Sequence, residues 1–86
     1  MDIADGAFEP KLAQLRPQWQ PRIRLLLQEL RKAPAVLRLS YLADVEEKGL
    51  VEQRLKVLRQ EIDGKWDKGW PLTIETEIFW RRGAPL

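Results

Sequence analysis

Two alternating segments, AVLRLSYLA at 35–43 and LTIETEIFWR at 72–81, bracket a run whose apolar residues recur at steps of three and four. A period of two puts successive side chains on opposite sides of a strand, whereas a period near 3.6 gathers them on one face of a helix. In the first segment Leu37, Leu39, Tyr41 and Ala43 oppose Val36, Arg38, Ser40 and Leu42, which predicts a strand with both faces at least partly covered. In the second, Leu72, Ile74, Thr76, Ile78 and Trp80 oppose Thr73, Glu75, Glu77, Phe79 and Arg81, which predicts one buried and one largely wet face. Between them Val51, Leu55, Leu58, Ile62 and Trp66 predict a helix from about Gly49 to Trp66, with Glu52, Lys56, Arg59 and Lys65 outermost. Strand, four-turn helix and strand make a βαβ unit, and such crossovers are right-handed, between parallel strands, in about 98% of cases.

Upstream, Trp19, Ile23, Leu26, Leu27 and Leu30 mark a second amphipathic helix of about Gln18 to Lys32. Pro17 suits its first turn, Pro21 must lie near its start, and Pro34 closes it by pushing the preceding residue away from helical angles. Lying alongside its neighbour, this helix covers the same sheet face. Residues 1–16, with Ile3, Phe8, Leu12 and Leu15, read as an irregular lead-in or a short edge strand. Asp67 to Pro71 form the connection ahead of the last strand, and residues 82–86 read as a frayed tail. The expected architecture is α+β: a two-layer sandwich of two helices on one face of a small sheet that contains a parallel βαβ unit.

With 86 residues and no Pro/Gly/Ser-rich break, one domain spanning 1–86 is expected. The absence of Cys and His removes disulfides, imidazole and thiolate metal sites and nucleophilic dyads. A net charge of +2 from interspersed acids and bases argues against nucleic acid. No run approaches a membrane span, and MDIADG lacks the order of a signal peptide, so export would depend on a longer parent chain. Met1 and the last residue or two read as expression remnants.

Several groupings invite chemistry. Asp44, Glu46 and Glu47 stand where a strand ends and a helix begins, the position at which open sheets place ligands. Carboxylates also complement the positive start of a helix, and this structural role is the preferred reading. Glu75 and Glu77 share a strand face about 7 Å apart, yet pairing with Arg38 across the strands is more economical than hydrolysis. Of the four tryptophans, Trp19, Trp66 and Trp80 belong to core faces, leaving Trp70 and Phe79 as candidate exposed aromatics. Arg81 and Arg82 could grip an anion, but a charged strand end is the ordinary explanation. No phosphate loop, nucleophile elbow or metal motif is present, and neither a cofactor nor a metal is expected.

The order of elements resembles the OmpA-like domain family, the peptidoglycan-associating C-terminal domain of outer-membrane protein A. The resemblance rests on FEPKLAQLRPQWQPRIRLLLQEL, on VLRLSYLAD beside the family's strand ending in Tyr/His-Thr-Asp, and on LVEQRLKVLR beside its Leu-Ser-x-x-Arg-Ala helix start. It implies a βαβαβ arrangement whose N-terminal strand is here short or missing. In that family the Asp and Arg hold the diaminopimelate residue of the murein peptide, which by position implies ligand roles for Asp44 and Arg54. Asp44 would accept from an ammonium and Arg54 would donate two-pronged to a carboxylate; Tyr41 and Glu47 are the supporting candidates. Arg54 pairing with Asp44 or Glu47, merely locking the loop, is the alternative. The family's Thr is Ala43 here, its loop Asn has no counterpart and the loop is shorter, so weak peptidoglycan affinity at most is expected.

The expectation is thus a non-catalytic cell-envelope binding or anchoring module from a larger bacterial surface or outer-membrane protein. Its site would be the periplasm, outer membrane or cell surface, its partner a peptidoglycan peptide or another envelope protein. A protein-interaction or structural end-domain that has lost murein binding is the second expectation.

Overall fold

The computed structural model of the chain describes residues 1–34, 36–67, 70–81 and 83. Its elements are β1 (Asp2–Ile3), α1 (Gln20–Leu30), β2 (Val36–Ala43), α2 (Lys48–Lys65) and β3 (Thr73–Trp80). The three strands form one sheet in the order β1-β2-β3, and both neighbouring pairs are parallel. The α+β architecture follows directly: each helix is a crossover between adjacent parallel strands, and both crossovers step in the same direction.

The periodicity of β2 survives folding and that of β3 survives in part: Ile74 is buried and Ile78 and Trp80 are half-buried, but Thr76, expected on the inward face, is exposed because no further strand covers it among the described residues. Leu37, Leu39, Tyr41 and Ala43 are buried; on the other side, expected to be partly covered, only Ser40 is, and Val36, Arg38 and Leu42 are exposed because both helices pack on the first face. Register pairs Leu37 with Ile74, Leu39 with Thr76, Tyr41 with Ile78 and Ala43 with Trp80, so like faces align across β2 and β3. The buried set joins Ile23 and Leu27 of α1 with Val51, Leu55, Leu58 and Ile62 of α2 in one cluster, which places both helices on the same sheet face. Burying each such side chain stabilises by roughly 1.5–3 kcal/mol, the largest favourable contribution in a chain of this size.

The helix limits differ slightly from the sequence reading. Pro17 opens a 3-10 turn over Pro17–Trp19, and Pro21 falls in the first turn of α1, where its missing N–H removes no intrahelical bond. At its far end α1 yields to a loose turn at Arg31 and Lys32 before Pro34. The N-terminus of α2 begins one residue early, at Lys48, and the helix carries through Gly64 to Lys65. Ala35, Lys68, Gly69, Arg82 and residues 84–86 lie outside the described residues, and with them the expected start of the first long strand, part of the 67–71 connection, the Arg82 half of the arginine pair and most of the tail.

The first sixteen residues supply both of the alternatives open to them. Asp2 and Ile3 pair in parallel with Ser40 and Tyr41 as an edge strand. A loop then closes through an antiparallel bridge between Phe8 and Leu15, with Arg16 Nε donating to the Phe8 carbonyl at 2.7 Å. At its tip Lys11 adopts φ of +60°, a left-handed conformation costly for any residue with a Cβ. Among the described residues no helix is long and apolar enough to cross a membrane.

Candidate functional site

Arg54 is fully buried (0% exposed), although α2 could have turned it outward. Its position explains this: it lies three residues after Val51 and four before Leu58, squarely on the apolar stripe. A buried guanidinium must find acceptors, since an uncompensated charge inside the protein is strongly unfavourable. Nε donates to the Leu12 carbonyl at 2.9 Å, Nη1 to Asp5 Oδ1 at 2.7 Å and to the Tyr41 hydroxyl at 2.8 Å, and Nη2 to the Glu9 carbonyl at 3.3 Å. Four of the five N–H donors are thus occupied. The Phe8 ring lies 5.0 Å from the guanidinium carbon, within reach of a cation–π attraction.

Tyr41 carries this network onward. Its hydroxyl accepts from Arg54 and donates to Glu46 Oε2 at 2.9 Å. Glu46 Oε1 in turn accepts the backbone N–H groups of Asp44 and Val45, both at 3.1 Å, and so fastens the β2–α2 loop. Burial pushes the Tyr41 hydroxyl up to about 12, against the opposing pull of Arg54. Burial also works against the charged form of Glu46, but the Asp44 amide and the Tyr41 hydroxyl outweigh it and hold the carboxyl below its ordinary range. For Arg54, burial disfavours the cation, while Asp5 and Tyr41 more than compensate and raise its pKa.

Above this network lies a cavity of about 790 Å3, lined by Asp5, Pro10, Lys11, Val45, Glu46, Glu47, Leu50 and Arg54. It sits where β2 ends, under the tip of the N-terminal loop. Three carboxylates and two basic groups therefore share one opening. Glu47, at the start of α2, makes no side-chain capping bond and is exposed at the rim. Among the described residues no cluster of three Asp, Glu, His or Cys side chains could hold a metal ion.

Of the expected site, the structure brings Arg54 and Glu47 to this cavity and joins the buried Tyr41 to it through Arg54 and Glu46, but does not bring Asp44 there. Asp44 faces the other side of the strand end, lining a shallower depression with Leu42, Ala43, Phe79, Trp80 and Arg81, and its Oδ2 lies 3.5 Å from Arg81 Nη1. The alternative pairing of Arg54 with Asp44 or Glu47 is also replaced, because Arg54 spends its donors on Asp5, Tyr41 and two carbonyls of the N-terminal loop. What it locks is the first dozen residues. Glu46, read from the sequence as one of three loop acids, proves to be the residue that holds the turn. Arg54 on an apolar stripe was the legible sign of burial; nothing local marks Asp5, 49 positions away, as its partner.

Elsewhere Arg38 Nη2 meets Glu75 Oε2 at 3.3 Å across the strands, the pairing preferred over catalysis, and Ser40 Oγ donates to Glu77 Oε1 at 2.7 Å. Trp19, Trp66 and Trp80 pack partly buried against the core. Trp70 is half-buried rather than exposed: it meets Trp66 edge-on at 6.1 Å, and its carbonyl accepts from Trp66 Nε1 at 2.7 Å. Phe79 is 53% exposed, as expected. No protein-family model, curated protein or solved structure matches the chain.

Proposed function

We propose that the chain is a non-catalytic binding or anchoring module of a larger bacterial cell-envelope protein, acting in the periplasm, outer membrane or at the cell surface, as its resemblance to the OmpA-like domains implies. The observation that supports this reading is the cavity at the end of β2, where Asp5, Glu46 and Glu47 face Lys11 above the buried Arg54. Carboxylates beside a cationic floor suit a ligand carrying both an ammonium and a carboxylate, such as the diamino acid of a peptidoglycan peptide. Since four N–H groups of Arg54 are already engaged, the guanidinium contributes positive potential more than a two-pronged grip, and affinity is weak. A non-catalytic role agrees with the chemistry of the rim: Glu46 is held ionised, which makes it a poor proton donor near neutral pH.

The test is a titration with a diaminopimelate-containing muropeptide, followed by backbone amide shifts. Saturable movement at residues 5–11 and 44–54, lost in Glu47→Gln, supports the proposal. Shifts that are absent, or that scatter without saturating, sink it. A second reading, an interaction or structural end-domain without murein binding, draws support from the engaged donors of Arg54 and from the outer edge of β3, unpaired among the described residues.

A further inference from the structure

We infer that β3 is a self-association edge, on which a second copy of this chain adds its own β3 antiparallel about a twofold axis at Ile78. The inference rests on the second reading above and names its partner.

The sheet stops short on this side. Leu39 and Tyr41 of β2 are fully buried, whereas their register partners on β3, Thr76 and Ile78, are exposed and half-buried. Beside them a groove of about 430 Å3 runs between α2 and β3, lined by Glu52, Leu55, Lys56, Arg59, Thr76 and Ile78, with Glu77 at its margin. The backbone direction of the edge follows from one bond: Arg81 N–H donates to the Ala43 carbonyl at 2.9 Å. Alternation then turns the N–H and C=O groups of residues 73, 75, 77 and 79 toward β2 and those of 74, 76, 78 and 80 toward open solvent. Among the described residues the outer edge of this eight-residue strand is unpaired, and such an edge is a template for another strand.

Charge selects the occupant and the register. Antiparallel self-pairing must set even residues opposite even residues, because these carry the free backbone groups. An axis at Thr76 puts Glu75 against Glu77, and an axis between the Glu77 residues puts those two together; like charges directly opposed are unfavourable. Axes at Ile78 and at Phe79 both oppose unlike charges, and the Ile78 axis is favoured because it joins the outward groups of Thr76, Ile78 and Trp80, whereas the Phe79 axis joins those of Ile78 and Trp80 alone. The Ile78 axis sets Arg81 opposite Glu75 of the second copy, twice by symmetry, and Phe79 beside the aliphatic stem of Glu77. On the helix side it sets the half-buried Trp80 opposite the small, exposed Thr76, so that each indole enters the other copy's groove beside α2. Arg81 and Glu75 have charge to share: both are solvent-exposed, and their existing partners, Asp44 at 3.5 Å and Arg38 at 3.3 Å, hold them at the long end of ion-pair range.

The experiment is sedimentation equilibrium over a wide concentration range, combined with hydrogen exchange. A monomer–dimer equilibrium is expected, with the Thr76, Ile78 and Trp80 amides gaining protection as concentration rises. Arg81→Glu and Glu75→Arg should each weaken dimerisation roughly tenfold, and the double swap should restore it, since two opposed-charge contacts become two like-charge contacts in each single variant. Thr76→Pro, which removes an outward N–H while sparing every bond to β2, should abolish the dimer and leave the circular dichroism of the monomer unchanged. A protein monomeric at all concentrations overturns the inference, as does a dimer indifferent to the charge swap and to Thr76→Pro. A monomer that nevertheless protects its β3 amides when mixed with a different envelope protein overturns self-association while sustaining the interaction reading on which it rests.

Discussion

Replacing Arg54 by methionine isolates what the buried guanidinium does, because methionine fills a similar volume and leaves the apolar stripe of α2 intact. Four acceptors lose a donor, but not equally. The Asp5 side chain is 65% exposed and resolvates, so its contribution is discounted. Tyr41 keeps Glu46 as a partner. The Leu12 and Glu9 carbonyls lose a charge-assisted bond, and Phe8 loses its cation–π contact, so the substitution costs about 2–4 kcal/mol in total. A chain of 86 residues commands roughly 4–13 kcal/mol altogether, so the variant should lose a share of its stability large enough to read directly as an earlier unfolding transition. In urea denaturation followed by circular dichroism, the midpoint should fall by about 2 M, and exchange at the amides of residues 5–16 should accelerate beyond that of the sheet. Asp5→Asn, by contrast, should cost under about 1 kcal/mol. An Arg54→Met variant whose stability stays within about 1 kcal/mol of the parent would refute the reasoning, showing that the N-terminal loop is held by its own Phe8–Leu15 bridge and not by Arg54.

Two further outcomes follow from the same network and a third from the N-terminal loop that closes it. Because folding raises Tyr41 to about 12, the unfolded chain ionises first; stability should therefore be intact below about pH 10 and decline from there through pH 12, with the decline flattened in Tyr41→Phe, as thermal melts across pH 9–12 would show. Glu46 behaves in the opposite sense. Its folded carboxyl is held low, so its contribution is present above the ordinary carboxylate range and disappears as pH falls through the folded value; Glu46→Gln should remove that acid-side loss when melts are compared between pH 2 and 6. Lys11→Gly relieves a left-handed backbone conformation and, net of the greater unfolded-state entropy of glycine, should raise stability by about 0.5 kcal/mol in chemical denaturation.

Much of this fold is written in local periodicity. The alternation of 36–43 and the three-and-four spacing from Val51 to Ile62 state which side chain goes inward before any partner is known, because burial follows from the geometry of a strand or a helix turn; the alternation of 73–80 states the facing, but only Ile74 is buried, because burial at a sheet edge depends on what lies beyond it. The parallel pairing of β2 and β3 needs only the added rule that a helix between two neighbouring strands carries the chain back to the same end of the sheet. The cross-strand meeting of Arg38 and Glu75 follows from the same register. The candidate site is a different kind of object. Asp44 and Arg54 are ten positions apart in a strand–loop–helix that looks like one pocket, yet the strand end turns Asp44 toward Arg81 while the stripe of α2 carries Arg54 inward. Which acceptors reach that guanidinium depends on how the first dozen residues close over it, and those residues have no strong periodicity of their own. Sequence alone determined the four long elements and the inward faces of β2 and α2; only tertiary packing decided the fate of the first sixteen residues and the partners of the buried charge, since a charged group inside a core is satisfied by whatever oxygen the fold brings near, however distant in the chain.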